Sequence, residues 1–107
     1  QRFIDASTIG WYNYLYGDNS AGNAAIMAAN PDQTLEKLAK ETKQLKSLGI
    51  IDSGNQLEVG IGAIDMARVQ AFYDLAVEAG ILEAGSVDVN KVATAQFVNK
   101  KVGMDLK

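Results

Sequence analysis

The chain has 107 residues, 48% of them apolar, and a formal net charge of −3; this suits one domain with a buried core and argues against nucleic acid as the main partner. It contains no Cys and no His. That excludes disulfides, thiolate chemistry and Cys-based metal sites, and removes the commonest general base and transition-metal ligand.

The first predicted element runs from Phe3 to Tyr16 and holds the only Trp and three of the four Tyr. Phe3, Ile4, Trp11, Tyr14 and Leu15 recur at helical spacing and make one apolar stripe. Aromatic residues bury the most apolar area each, so this helix is expected to anchor the core. Tyr12 or Tyr16 is expected on the exposed side. Gly10 sits mid-helix at a cost of about 1 kcal/mol relative to Ala; it reads either as a point of close approach or as a tolerated residue. Gly17-Asp18-Asn19-Ser20 is a turn. A short Ala-rich helix follows over 21–29, with Ala24, Ala25, Met27 and Ala28 as a thin packing face, and stops at Asn30-Pro31.

Asn30 as N-cap, Pro31 at the first position and Gln33 as capping-box partner predict a third helix running to Leu48 and closed by Gly49. Its apolar line is Leu35, Leu38, Leu45 and Leu48, and Glu36 and Lys40 are spaced for an exposed pair. Residues 50–64 carry turn chemistry at Asp52-Ser53-Gly54-Asn55; Gly60 and Gly62 weaken a hairpin, and an irregular loop is expected. Asp65 N-caps a helix from Met66 to Ala79, with Val69, Phe72, Leu75, Ala76 and Ala79 inward and Gly80 closing it. A helical turn is expected over 89–93, then a short helix capped by Thr94 and anchored by Phe97 and Val98. The tail after Gly103 is expected to fray. No apolar run is long enough to span a bilayer.

No stretch carries recognisable catalytic chemistry. Gly60-Ile61-Gly62 before a helix lacks the third glycine and the Lys-Ser/Thr of a phosphate loop, and reads as a loop with a cap behind it. Asp18-Asn19-Ser20-Ala21-Gly22 lacks the ligand spacing and closing Glu of a calcium loop. Lys37, Lys40, Lys43 and Lys46 recur every three residues, so their line drifts around the helix as a solvated face. The carboxylates are scattered singly, and no acid/base pair stands out. Trp11, Tyr12, Tyr14 and Tyr16 point to several sides and read as core or surface rather than ligand platform. No catalytic residue, metal ligand or cofactor site is assigned, and ligand-binding residues are left open. The chain starts at Gln1-Arg2 without Met or an apolar leader and enters a helix at once, which reads as an excised piece of a longer protein.

The ordered set of motifs resembles a family. FIDASTIGWYNYL, NPD opening a long helix, GIGAIDMARVQAFYDLAVEAGIL and VDVNKVATAQFVNK are similar to the C-terminal part of the ABC-importer solute-binding proteins for sulfonates, nitrate, taurine and thiamin-pyrimidine precursors. The matching features are Gly10-Trp11, Asn30-Pro31, Gly60-Ile61-Gly62, Asp65 with Arg68, Gly80-Ile81-Leu82 and Phe97-Val98; Met66 stands where the family often has Pro. The resemblance implies a two-lobed α/β fold of which residues 1–107 are a mainly α C-terminal segment. It implies a binding protein, not an enzyme, periplasmic or extracellular and membrane-associated, whose partners are a small solute and an ABC permease. The other reading is a free-standing helical interaction or assembly module. In the isolated chain, apolar faces that a sheet of the parent would cover predict self-association, as a symmetric dimer through the helices at 3–16 and 66–79; the competing outcome is closure into a compact bundle within one chain.

Overall fold

Local signals place most of the helices, and long-range contacts decide which faces they bury. In the computed structural model, which describes all 107 residues, the chain is all-helical with no strand. The helices are α1 (Arg2–Tyr16), α2 (Ser20–Ala29), α3 (Leu35–Ser47), the single turn α4 (Gln56–Val59) and α5 (Met66–Glu78), with 3₁₀ turns at Val89–Lys91 and Met104–Leu106. The mainly α expectation holds, and 50–64 is irregular except for α4. Asp65 caps α5 by accepting from the Ala67 and Arg68 amides. After α3, Gly49 takes a left-handed conformation and the Ile50 amide donates back to the Leu45 carbonyl, which closes the helix end as expected.

The start of α3 is four residues later than the sequence suggests. Thr34, in extended geometry, accepts from the Lys37 amide and is the true N-cap. Asn30 instead folds its side chain onto the Asp32 amide, 3.1 Å away, a local turn that competes with helix entry. Gln33 is left free of any capping role. Glu36 and Lys40 form no ion pair; the chain's two are Lys91–Asp88 and Lys107–Asp52.

Burial on α1 follows Tyr12, not Trp11. Tyr12 is 2% exposed, Leu15 is also buried, and Trp11 is 41% exposed. Tyr16 is half-buried. The expected single stripe is therefore two adjacent faces. Ile4, Thr8, Tyr12 and Leu15 lie toward the C-terminal segment and the 59–61 loop, while Phe3, Ser7, Trp11 and Tyr14 follow a neighbouring open row. The small core joins Tyr12, Leu15 and Ile61, with Leu45, Ile51 and Met104 against it.

The C-terminal segment is the element that covers Tyr12. No helix forms at Thr94, whose hydroxyl accepts from the Gln96 amide in a turn; Phe97 and Val98 lie in irregular chain beside Ile4 and Thr8. Asn99 adopts a positive φ and clips the segment down, accepting from the Ile64 amide and donating to its carbonyl. The Lys101 amide donates to the Val59 carbonyl at 2.9 Å, and a Cβ on Gly60 would come within 3.3 Å of the Lys101 backbone. The tail does not fray: Met104–Leu106 packs along α1, and Lys107 reaches Asp52.

α5 lies apart from this body and packs chiefly on the turn Val89–Lys91. Its inner row is Val69, Tyr73, Ala76 and Val77, with Ala76 and Val89 buried. The Tyr73 hydroxyl accepts from the Gly85 amide and donates to the Glu83 carbonyl. The expected inner row holds at Val69 and Ala76 and fails elsewhere: Phe72 is 74% and Leu75 61% exposed, Ala79 is exposed too, and Tyr73 and Val77 face inward instead. The whole chain is correspondingly open. Its radius of gyration is 17.4 Å, against about 13 Å for a compact domain of this length. Its accessible surface is 7514 Å², against about 5,800 Å² for a compact monomer of this mass.

Gly103 tests the docking of the tail. Its φ is +75°, and a Cβ there would meet Tyr12 Cδ2 at 2.8 Å. Gly103→Ala is expected to lower the unfolding free energy by about 2–3 kcal/mol in urea titration, combining backbone strain with that clash. Gly54→Ala, at φ +59° in open space, is expected to cost only about 1 kcal/mol, from the strain alone.

Candidate functional site

The helices α1, α2 and α3 splay and leave an open groove of about 500 Å³ between them. Its walls follow from helical spacing. α1 contributes Ser7, Gly10, Trp11 and Tyr14; α2 contributes Ile26; α3 contributes Leu38, Glu41, Thr42 and Leu45. Trp11 and Tyr14 meet edge to face, with centroids 6.3 Å apart and planes at 83°, a favoured aromatic geometry. The Thr42 hydroxyl is turned back to its own helix, donating to the Leu38 carbonyl at 2.8 Å. Gly10 borders the groove, and a Cβ there would meet nothing within 4 Å. No element approaches it, so the close-approach reading of Gly10 falls and the tolerated one stands.

Polar contacts hold α2 against α1. Tyr14 Oη donates to Asn23 Oδ1 at 2.8 Å, Asn23 Nδ2 donates to Asn19 Oδ1, and Asn19 Nδ2 returns to the Tyr14 carbonyl. Asn23 is itself buried, and this closed ring satisfies its amide. Gly22 lies over the Tyr14 ring, where a Cβ would come within 3.1 Å of it. At the groove's margin, Gln33 Oε1 is buried without a hydrogen-bond partner. Such an acceptor ordinarily costs about 1–3 kcal/mol unless something supplies a donor.

A second cluster lies at the far end of α1. Tyr16 Oη donates to Asp52 Oδ2, and Lys107 Nζ binds the same oxygen at 2.7 Å. The Asp52 side chain is 5% exposed. The ammonium groups of Lys107 and Lys46 lie 5.3 and 5.6 Å from the Tyr16 ring centroid, within cation–π range. Burial pushes the Asp52 carboxyl upward, but the hydrogen bonds from Lys107 and Tyr16 outweigh it and hold the group below its ordinary range. Burial, then the Asp52 carboxylate, raises the Tyr16 phenol. The hydrogen bond to Asp52 raises the Lys107 ammonium. None of the larger surface hollows opens on this cluster, which serves as a clamp between the chain's end and α1.

The motifs weighed for phosphate and calcium are absorbed by the fold. In the 60–62 loop, the Ile61 amide donates to Tyr12 Oη at 3.2 Å and the Gly62 amide to Gln56 Oε1 at 3.0 Å. Those donors are spent internally. Asp18 accepts from the Ser20 amide at 2.9 Å, the bond that lowers its pKa, and no group of three or more His, Cys, Asp or Glu is placed to hold a metal ion. Of the lysine line, Lys37 binds the Asp32 carbonyl and Lys46 sits over Tyr16, so no common patch forms. The roles of Asp52, Lys107 and Asn23 escape sequence reasoning. Each depends on a partner distant in sequence or in a turn whose geometry spacing does not give.

Comparison with protein-family models, with curated proteins and with solved structures finds no match to this chain.

The clamp makes stability depend on pH at both extremes. Asp52 is held below its ordinary value of 3.8, so its contribution is complete above that value and is lost as pH falls through the folded-state pKa. Lys107 and Tyr16 are raised from 10.5 and 10.0. Their contributions are complete below those values and are lost as pH rises through the folded-state pKa values. Urea midpoints are expected to fall below about pH 4 and above about pH 10. Asp52→Asn is expected to flatten both limbs; an unchanged profile would show that the clamp contributes nothing.

Proposed function

We propose that residues 1–107 are the C-terminal helical segment of an ABC importer's solute-binding protein, a two-lobed α/β receptor for a small anionic or heterocyclic nutrient. The carrying observation is the ordered set of motifs running nearly the length of the chain, from Gly10-Trp11 to Phe97-Val98. One structural feature supports the reading. The helices carry apolar rows that nothing within the chain covers, as helices built to lie on other parts of a larger fold would. In such a receptor the solute lies between the lobes, its partner is the permease, and the protein works outside the cytoplasmic membrane. The open rows would then face the remainder of the receptor.

Two measurements test this. The coding sequence upstream of Gln1 is expected to encode α/β lobes and a secretion signal, beside genes for a permease and an ATPase; an open reading frame starting near Gln1 with no such neighbours would reject the proposal. Calorimetry of the 107-residue chain against sulfonates, nitrate and aminopyrimidines is expected to show no binding tighter than millimolar. One wall of a cleft cannot enclose most of a ligand's surface, and micromolar affinity would place the whole site within these residues.

A further inference from the structure

We infer that a second copy of this chain covers the open face, and that the two copies pair reciprocally, α5 of each seated in the α1–α3 groove of the other. The inference rests on surface, shape and charge, and does not depend on the receptor reading.

The area comes first. The accessible surface of 7514 Å² exceeds that of a compact monomer by roughly 1,700 Å². Removing that excess from both copies gives an interface of roughly 3,400 Å², within the span of obligate homodimers. A two-fold axis lets a groove-and-ridge contact occur twice and close, leaving neither surface bare.

Shape and charge then select the ridge. The outer row of α5 offers Phe72 and Leu75, both well exposed, and the groove is an apolar trough with the Trp11–Tyr14 pair on one wall. Arg68 precedes Phe72 by one turn, is exposed, and has no ion-pair partner within the chain. Glu41 on the groove wall is likewise exposed and unpaired. Arg68 and Phe72 are four residues apart, about 6 Å along α5, and so are Glu41 and Leu45 along α3. One seating therefore brings the guanidinium to the Glu41 carboxylate while the Phe72 ring enters beside Leu45.

The test is analytical ultracentrifugation of the 107-residue chain at micromolar concentration, with circular dichroism to monitor folding. The wild type is expected to sediment at twice its 11.5 kDa. Gly10→Leu places a side chain in the groove and suits a helix better than glycine, so it is expected to give a folded monomer. Phe72→Asp is expected to do the same from the other side of the contact. Arg68→Glu and Glu41→Arg are each expected to weaken the dimer about tenfold or more, and together to restore it to within about threefold of wild type. A monomeric wild type, or a dimer indifferent to Gly10→Leu and to the charge exchange, would overturn the inference. In the receptor reading the same rows face the remainder of the receptor, so the pairing belongs to the 107-residue chain with that face bare, and the receptor reading is decided separately by the upstream sequence.

Discussion

The ring of Tyr12 is the contact on which the rest of this structure depends. It sits in the C-terminal half of α1, and two distant segments converge on it. Gly103 passes so close to the ring that no side chain fits there. The Ile61 amide reaches the hydroxyl, and Ile61 joins Tyr12 and Leu15 in the core. One residue thus supplies the apolar area that fixes the middle and the end of the chain, and the acceptor that a buried backbone amide requires. Polar clips then hold the converging segments in register. Asn99 binds both backbone groups of Ile64, and Asp52 gathers Tyr16 and Lys107.

That core is small for the length of chain it organises. Ordering each backbone residue costs about 1–2 kcal/mol, and only ten of the 107 residues are buried to offset it. Stability is accordingly uneven. The Tyr12 cluster with its clips is the dense part, where opening requires several long-range contacts to break together. α2 depends on a ring of amide and hydroxyl hydrogen bonds and on the close pass of Gly22 over Tyr14. α5 depends on Ala76, Val89 and the two hydrogen bonds of Tyr73. Both elements carry apolar residues that the chain leaves in water, Ile26 on the groove side of α2 and Phe72 with Leu75 on the outer row of α5.

What the sequence made legible was local. Asp65 before an apolar-periodic run, Gly49 after one and the turn beginning at Gly17 mark helix ends through chemistry confined to a few residues, and they fall where expected. At Asn30-Pro31 two local rules competed, and the Asn side chain chose a turn onto Asp32 over a helix cap. Faces were less legible than ends. Trp11 and Tyr12 are adjacent on α1, and periodicity cannot say which one the distant 61 and 103 segments will cover. On α5 Val69 and Ala76 lie inward as expected, but Phe72 was read as the inward aromatic because it outweighs Tyr73 in hydrophobicity, whereas Tyr73 has backbone partners at Glu83 and Gly85. The clamp was invisible for a related reason. Its members are the end of α1, a turn residue and the last lysine, and nothing in their spacing joins them. The groove is a product of how far three helices splay, a quantity that helix assignment alone does not contain.

The same physical fact underlies both functional readings, namely apolar rows without a partner inside the chain. They differ in the shape of partner each row is fitted to. A sheet presents a broad surface and would lie across the outer row of α5 or the Phe3–Ser7–Trp11 row of α1 without entering between helices. A helix presents a ridge, which enters a trough. The α1–α3 space is a trough: its walls are the aromatic pair on one side and Leu38, Glu41 and Leu45 on the other. Its charge is one-sided. Glu41 is the only charged residue on its walls, and no cation lines the groove. An occupant that paired with Glu41 must therefore bring a cation on the same face as its apolar side chains. Within this chain Arg68 and Phe72, one turn apart on α5, present that combination, on a helix that packs chiefly on the turn Val89–Lys91 and leaves its outer row bare.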